Sequence, residues 1–143
     1  MTRFTIGPVR VVQAIGLGVL LASFSSCSTT TNRDIAESAV VKFHSQLNSE
    51  LYDSILLSAA PEFKAGGETG KDYLEKVHDL LGRVTATNQV TGSVQNMESE
   101  AQINLVYMTD FAEGQAAETF VFRVKDKRAS LILYEVALDL TDK

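Results

Sequence analysis

Two segments of alternating apolar and polar side chains, separated by a short polar turn, constrain this chain more than any other feature. The segments are residues 102–108 and 118–124, and Glu113–Gly114 lies between them. Alternation with a period of two is typical of a β-strand with one buried face. Two such strands around a glycine turn predict a β-hairpin. A turn centred on Glu113–Gly114 predicts three inward pairs: Ile103 with Val124, Leu105 with Phe122, and Tyr107 with Phe120.

The predicted hairpin has one face for the core and one for the surface. The outward face carries apolar side chains bordered by polar ones, which is a common mark of a protein interface. The residues of this candidate interface are Val106, Met108, Val121 and Arg123. In the same register Asp110 and Glu118 lie near the turn, where we expect both carboxylates to be solvated.

The first 26 residues have the composition of an export signal rather than of a folded domain. Residues 1–10 contain two arginines and no acidic side chain, and residues 11–24 are an almost uninterrupted apolar run. A basic start, a short apolar run and small residues after it are the parts of a secretory signal. The run is shorter than the roughly 20 residues that span a membrane. We therefore expect residues 1–26 to be removed on export.

Cys27 is the only cysteine, and it ends a segment, Phe24-Ser25-Ser26-Cys27, that resembles a bacterial lipobox. Phe24 departs from the usual pattern, which has leucine at that position. The resemblance implies a diacylglyceryl thioether on Cys27 and an acyl group, such as palmitate, on its amine. Ser28 follows the cysteine instead of aspartate, which favours the outer membrane over the inner one. Ordinary cleavage that leaves a free thiol, and an uncleaved anchor, are the alternatives.

The predicted lipoprotein has three parts: the signal peptide 1–26, the lipidated cysteine with its polar tether 27–33, and the domain 34–143. Loss of the signal removes two arginines and no carboxylate, so the net charge changes from −5 to −7. An acidic domain repels nucleic acid and anionic headgroups. We therefore expect no nucleic-acid partner. We also expect the lipid on Cys27, rather than a basic patch, to hold the chain to the membrane, facing the periplasm.

The patterns along the rest of the chain predict an α+β domain. Apolar side chains at spacings of three and four predict three helices, at 34–48, 50–60 and 71–81. Thr31 and Asp34 have the spacing of a capping box, and Gly82 is a typical residue after a helix end. The period then changes to two, which predicts strands near 84–94 and 131–136 in addition to the hairpin. Helices followed by antiparallel strands are typical of the α+β class.

Five segments of the chain have sequences that occur together in a known family. They are VKFHSQLN at 41–48, LYDSI at 51–55, LLGRV at 80–84, YMTDF at 107–111 and ETFVF at 118–122. They resemble an uncharacterised family of small exported bacterial proteins with an NTF2-like, or cystatin-like, domain. The resemblance implies three N-terminal helices packed on a curved four-stranded antiparallel sheet, which forms a cone with an apolar interior. Domains that this chain resembles often pair through the outer face of the sheet. We expect no further strand between the second and third helices.

The resemblance also implies where catalysis would take place, because some NTF2-like proteins are isomerases or dehydratases with an acid or base inside the cone. The candidate pocket residues are His44, Tyr52, Tyr107, Phe120 and Phe122. The predicted inward positions of the hairpin carry no carboxylate or imidazole, and His44 and His78 flank helix stripes, where packing is the commoner role. We therefore predict no catalytic residue. Two histidines 34 residues apart predict no metal site, and no pattern predicts a cofactor.

A binding or interaction module is the function that these observations favour. We expect the domain to bind either a partner protein of the envelope or a small apolar ligand in the cone. We also expect a homodimer or a partner contact through the outer face of the sheet. A small isomerase or dehydratase with the cone as its active site is one alternative, and a structural, self-associating domain is another.

Overall fold

The computed structural model of the chain describes residues 30–65 and 70–138. The predicted signal peptide and Cys27, with its predicted lipid, lie outside the described residues. The helices are α1 (Asn32–Asn48), α2 (Tyr52–Ser58) and α3 (Gly70–Leu81). The strands are β1 (Lys64–Ala65), β2 (Val84–Asn96), β3 (Ala101–Phe111), β4 (Gly114–Lys125) and β5 (Arg128–Leu138). No helix in the described ranges is both long and apolar enough to cross a membrane.

The four long strands form an antiparallel sheet in which neighbours in the chain are neighbours in space. The order across the sheet is β1-β5-β4-β3-β2, with β1 at one edge and β2 at the other. Register shifts within the β2–β3 and β4–β5 pairs mark irregularities of the kind that bend strands. α1 contacts each of the four long strands, so the sheet curves around this helix. The expected fold, three helices on a curved four-stranded antiparallel sheet, is confirmed.

β1 corrects the expectation that no strand lies between the second and third helices. Lys64 and Ala65 pair in parallel with Leu133 and Tyr134 of β5. Ala65 is fully buried, so this short strand contributes to the core as well as to the sheet edge. Two residues are too few to produce the alternation by which a strand is recognised in a sequence.

The N-terminus of α1 is fixed by a capping box, as the spacing of Thr31 and Asp34 predicts. The Thr31 hydroxyl oxygen accepts a hydrogen bond from the Asp34 amide at 3.1 Å, and the Asp34 carboxylate accepts one from the Thr31 amide at 2.8 Å. These bonds satisfy backbone donors that a helix start leaves free. The helix therefore begins at Asn32, two residues earlier than expected, and the chain between Cys27 and α1 is correspondingly shorter.

The tip of the hairpin is held by the connection between α3 and β2. Gly82 ends α3 with a φ of 75°, in the left-handed region that favours glycine. The Ala112 amide donates to the Arg83 carbonyl, and the Glu113 amide donates to the Leu81 carbonyl, both at 2.9 Å. These bonds place the turn at Ala112–Glu113.

The observed register of the hairpin therefore differs from the predicted one by two residues. Ile103 lies opposite Phe122, Leu105 opposite Phe120, and Tyr107 opposite Glu118. A shift by two leaves every side chain on the face that was predicted for it, because side chains alternate with a period of two. The predicted inward set is accordingly buried: Ile103, Leu105, Tyr107, Phe120 and Phe122. The hydrophobic pattern therefore predicted which face of each strand is buried, but it is compatible with both registers.

Candidate functional site

A buried carboxylate is the centre of the polar chemistry inside the sheet. Glu118 of β4 has no exposed surface, and it accepts hydrogen bonds from three different elements. Tyr134 of β5 donates its hydroxyl to Glu118 Oε1 at 2.6 Å. Thr109 of β3 donates its hydroxyl to Oε2 at 2.5 Å, and His44 Nε2 of α1 lies 2.7 Å from the same oxygen. We call these four residues the Glu118 network.

The burial of Glu118 corrects the expectation that this carboxylate is solvated near the turn. β4 continues for four residues beyond Glu118 to Gly114, and Ala116 on the same face is also fully buried. The carboxylate therefore lies well inside the sheet and not at its end. Glu118 lies two residues before Phe120 and four before Phe122. Side chains at such even spacings lie on one face of a strand, so the sequence already indicated that Glu118 points inward.

Aromatic rings surround the network and keep it dry. The ring centroids of Phe43 and Tyr134 are 4.6 Å apart, and Phe120 lies 5.1 Å from Tyr134 and 5.6 Å from His44. His44 is 7% exposed and Tyr134 is not exposed at all. Burial, and then the neighbouring Glu118 carboxylate, raise the pKa of the Tyr134 hydroxyl well above its ordinary value. Tyr134 therefore keeps its proton and remains a donor to Glu118.

The Glu118 network has the bonding pattern of a structural brace. A carboxylate can accept about four hydrogen bonds, and three donors from the protein already occupy this one. An isolated buried carboxylate would be strongly unfavourable, whereas one held by several donors is tolerated. The network thus connects α1 to β3, β4 and β5. Enzymes also use a carboxylate to orient the imidazole of a general base. If this network acted in catalysis, His44 would therefore be the base.

The remaining predicted pocket residues divide into two groups. Tyr107 lies opposite Glu118, with its ring edge-on to Phe120 at 6.0 Å, and Phe122 stacks on Phe120 at 6.0 Å. Tyr107 and Phe120 thus lie beside the network, Phe122 packs on Phe120, and His44 is itself a member of the network. Tyr52 lies elsewhere, on α2, where its ring faces that of His78 on α3 at 6.4 Å. The Nε2 atom of His78 is buried and has no hydrogen-bond partner among the described residues.

A groove lies outside this packed interior, between α3 and the end of β5. Its volume is about 230 Å³, and we call it the α3–β5 groove. It is lined by Tyr73, Lys76, Val77, Leu80, Leu81, Val136 and Leu138. Leu80 and Leu138 are 70% and 49% exposed, so apolar side chains reach solvent at its rim. The Val136 amide donates to the Tyr73 hydroxyl oxygen at 3.0 Å, which fixes the two walls relative to each other.

A second hollow, of about 590 Å³, lies where α1 and α2 approach the turn between β4 and β5. We call it the α1–β5 hollow. Its charged lining residues are Lys42, Arg123, Lys125, Asp126 and Arg128. Arg123 forms ion pairs with Glu62 and Glu100, the second at 3.4 Å. The sequence did not reveal this cluster, because Lys42 is far from the others along the chain.

The candidate interface on the outer face of the sheet lies on the two central strands. Val106, Met108, Val121 and Arg123 are each partly exposed. Val121 lies opposite Leu133 on β5 and opposite the polar Asn104 on β3, and Val106 lies opposite Thr119, so this outer face mixes apolar and polar side chains. A contact through this face is still a prediction.

Comparisons with known proteins support the fold and not a function. No protein-family model matches the chain, and no curated protein matches it. Among solved structures, it is similar to an NTF2-like protein from Cytophaga hutchinsonii, with a TM-score of 0.51 and 11% identity over 76% of this chain and 99% of that one. It is also similar to a protein of unknown function with a cystatin-like fold from Nostoc punctiforme, with a TM-score of 0.55 and 16% identity over 78% of this chain and 95% of that one. The chain therefore has the NTF2-like, or cystatin-like, fold.

Proposed function

We propose that this chain is a lipid-anchored envelope protein whose domain binds a small apolar ligand in the α3–β5 groove. The observation that carries this proposal is the groove itself, a concave surface with five aliphatic lining residues and few polar groups. Concave, mostly apolar surfaces with a few polar groups are the usual form of a small-molecule site. This location differs from the interior of the cone, where the sequence led us to expect the ligand.

The interior of the cone is a poorer ligand site because side chains of the protein fill it. Phe43, Phe120 and Tyr134 are in mutual ring contact there, with centroids between 4.6 and 5.2 Å apart. The carboxylate of Glu118 already has its donors. A ligand in this position would have to displace aromatic packing and break hydrogen bonds, whereas the α3–β5 groove is open.

The size of the groove indicates the class of ligand. A volume of about 230 Å³ lies below the range of roughly 300–1,000 Å³ in which drug-sized molecules bind. The groove therefore suits a short acyl chain or a single ring. Tyr73 and Lys76 supply the polar groups of the lining, and both lie on α3. A polar end of the ligand would be oriented by these two side chains.

The proposal of a membrane anchor rests on the lipobox resemblance at Cys27 and on the small number of residues between Cys27 and the start of α1. α1 begins at Asn32, so four residues separate Cys27 from the helix. Four extended residues span at most about 14 Å. We therefore propose that the domain lies close to the periplasmic surface of the outer membrane, held by the lipid on Cys27.

Replacing one exposed leucine tests the α3–β5 groove. Leu80→Gln should weaken binding of the fluorescent apolar probe N-phenyl-1-naphthylamine, with decanoate as a competitor. Full burial of a leucine contributes about 1.5–3 kcal/mol, so partial loss should weaken binding roughly 3- to 30-fold. Leu57→Gln is the matched control, because Leu57 is 89% exposed and lies outside the groove. Equal probe affinity in both variants and the native chain would exclude this groove as the site.

A catalytic function is the second candidate, and the contact between His44 and Glu118 is the observation that favours it. This reading requires a substrate to reach the imidazole, which is 7% exposed. If a substrate is found, His44→Gln should abolish its turnover, and turnover that persists in this variant would exclude His44 as the catalytic base. His78→Gln is the control, since His78 contacts Tyr52 and not the network.

A further inference from the structure

The α1–β5 hollow gathers positive charge on a chain that is acidic as a whole. The described residues contain ten lysines and arginines and fifteen aspartates and glutamates. Four of the ten cations lie between residues 123 and 128, and Lys42 of α1 joins three of these four at the hollow. Four of the ten positive side chains in the described residues therefore line one hollow. The net charge of the sequence conceals this concentration.

Three of these cations have no counter-ion among residues 30–65 and 70–138. Lys42, Lys125 and Arg128 are exposed and form no ion pair with any residue in the described ranges. Arg123 differs, because Glu62 and Glu100 neutralise it. Asp126 is the one carboxylate among the described lining residues of the hollow. The unpaired cations are thus available to an anion from outside.

The β4–β5 turn holds two of the cations side by side. Asp126 and Lys127 have φ values of 49° and 58°, as the central residues of a tight turn do, and Lys125 pairs with Arg128 across the strands. Like charges directly opposite each other on neighbouring strands are unfavourable when nothing lies between them. An anion bound to both would remove this repulsion.

An exposed apolar side chain lies beside the cations. Leu57 lines the hollow from α2 and is 89% exposed, and Ile35 of α1 adds a partly buried aliphatic group. Lysine and arginine next to an exposed leucine are typical of surfaces that bind the interface of a bilayer, where cations contact headgroups and the leucine enters the acyl boundary. A soluble anion such as free phosphate would make no use of Leu57.

The position of the hollow along α1 places it within reach of the bilayer. It extends along the helix from Ile35 to Lys42. Lys42 is ten residues after the helix start, or roughly 15 Å along its axis. The tether before the helix adds at most about 14 Å. A surface charge attracts an anionic membrane over about 8 Å at physiological salt, so cations this close to the anchor can reach it.

We propose that the α1–β5 hollow is a second membrane contact, which binds the phosphate headgroup of an anionic phospholipid. Lys42, Lys125 and Arg128 contact the phosphate, and Leu57 enters the bilayer next to it. This inference rests on the membrane anchor in the proposed function. It revises the expectation from net charge that no basic patch assists the lipid. The contact would hold the domain in a fixed orientation, with the hollow facing the membrane.

Lysine footprinting of the full-length lipidated chain in nanodiscs tests this contact. The acylation rates of Lys42 and Lys125 are measured by mass spectrometry in discs of phosphatidylcholine alone and in discs that also contain phosphatidylglycerol. Both lysines should react several-fold more slowly in the anionic discs, and high salt should remove the difference. Lys71 is the internal control, because it pairs with Asp53 at 3.0 Å outside the hollow.

Variants distinguish a specific binding site from a general electrostatic attraction between the protein and the anionic membrane. Arg128→Ser and Leu57→Gln should each reduce the protection of Lys42, whereas Arg83→Ser and Val90→Gln, which remove an exposed arginine and an exposed aliphatic side chain elsewhere, should preserve it. Equal reactivity of Lys42 in the two kinds of disc would overturn the proposal. Equal protection by glycerol phosphate added to phosphatidylcholine discs would overturn it too, in favour of a soluble anion. A chain that never enters the discs would instead overturn the anchor, and with it this contact.

Discussion

His44 and Glu118 are 74 residues apart in the chain, and their Nε2 and Oε2 atoms are 2.7 Å apart in the interior of the domain. The contact joins α1 to the central strand β4. Thr109 and Tyr134 join the neighbouring strands to the same carboxylate. The position of α1 on the sheet is therefore determined by directional bonds as well as by apolar packing, which alone has little directional preference.

Removal of the carboxylate should destabilise the fold strongly. Glu118→Ala leaves three buried donors without an acceptor, and breaking a buried charged network by removing one partner costs about 3–5 kcal/mol. Glu135→Ala on β5 removes an exposed carboxylate and should change the free energy of unfolding by less than about 0.5 kcal/mol. Urea denaturation of both variants measures this difference. A cost below about 1 kcal/mol for Glu118→Ala would show that the network does not brace the fold.

The hydroxyl of Tyr134 should make stability depend on pH in the alkaline range. Its pKa in the folded state is raised above the value of about 10 for an exposed tyrosine. Above about pH 10 the unfolded chain loses this proton while the folded chain keeps it, so the free energy of unfolding falls as pH rises. Tyr134→Phe should be less stable than the native chain at pH 7 by about 1–3 kcal/mol. The gap should narrow above about pH 10, and a constant gap in urea titrations would contradict the assigned shift.

The two faces of β3 should respond differently to truncation. Leu105 is fully buried opposite Phe120, so Leu105→Ala should lower the free energy of unfolding by about 2–5 kcal/mol. Val106 is the next residue and lies partly exposed on the outer face, so Val106→Ala should cost about 1 kcal/mol or less. Thermal or urea unfolding of the pair checks the assignment. Similar losses in both variants would show that the two faces are not distinct in burial.

Features that depend on near neighbours in the chain were predictable from sequence, whereas features that depend on distant residues were not. The faces of β3 and β4 were predictable because each side chain's position follows from its neighbours two residues away. The register depended on bonds from Ala112 and Glu113 to the α3–β2 connection, about 30 residues earlier in the chain. For the same reason, the sequence did not indicate the Glu118 network or the α1–β5 hollow. Glu118 contacts His44, and Lys42 lines the same hollow as Arg128, only in the folded domain, because these residues are far apart in the chain.

Lipid attachment at Cys27 is a prediction from the lipobox resemblance. Expression in a bacterial host with labelled palmitate should label the native chain and not Cys27→Ser. Cell fractionation should find the native chain in the membrane fraction, because two or more acyl chains anchor a protein stably. Equal labelling of the two chains would mean that the acyl groups, if any, are attached elsewhere.

The outer face of the sheet should join two copies of the domain. Val106 and Val121 lie on adjacent strands of the outer face, and each is partly exposed. A twofold contact would place the same patch of both copies against each other. Val106→Glu or Val121→Glu would then bury like charges at the interface and should convert a dimer to a monomer while the fold persists. Glu113→Gln in the β3–β4 turn is a control that removes charge at an exposed position away from this face. Light scattering at high micromolar concentration measures the mass, and a native chain that is monomeric there, with no crosslinked copy in cells, would exclude this interface.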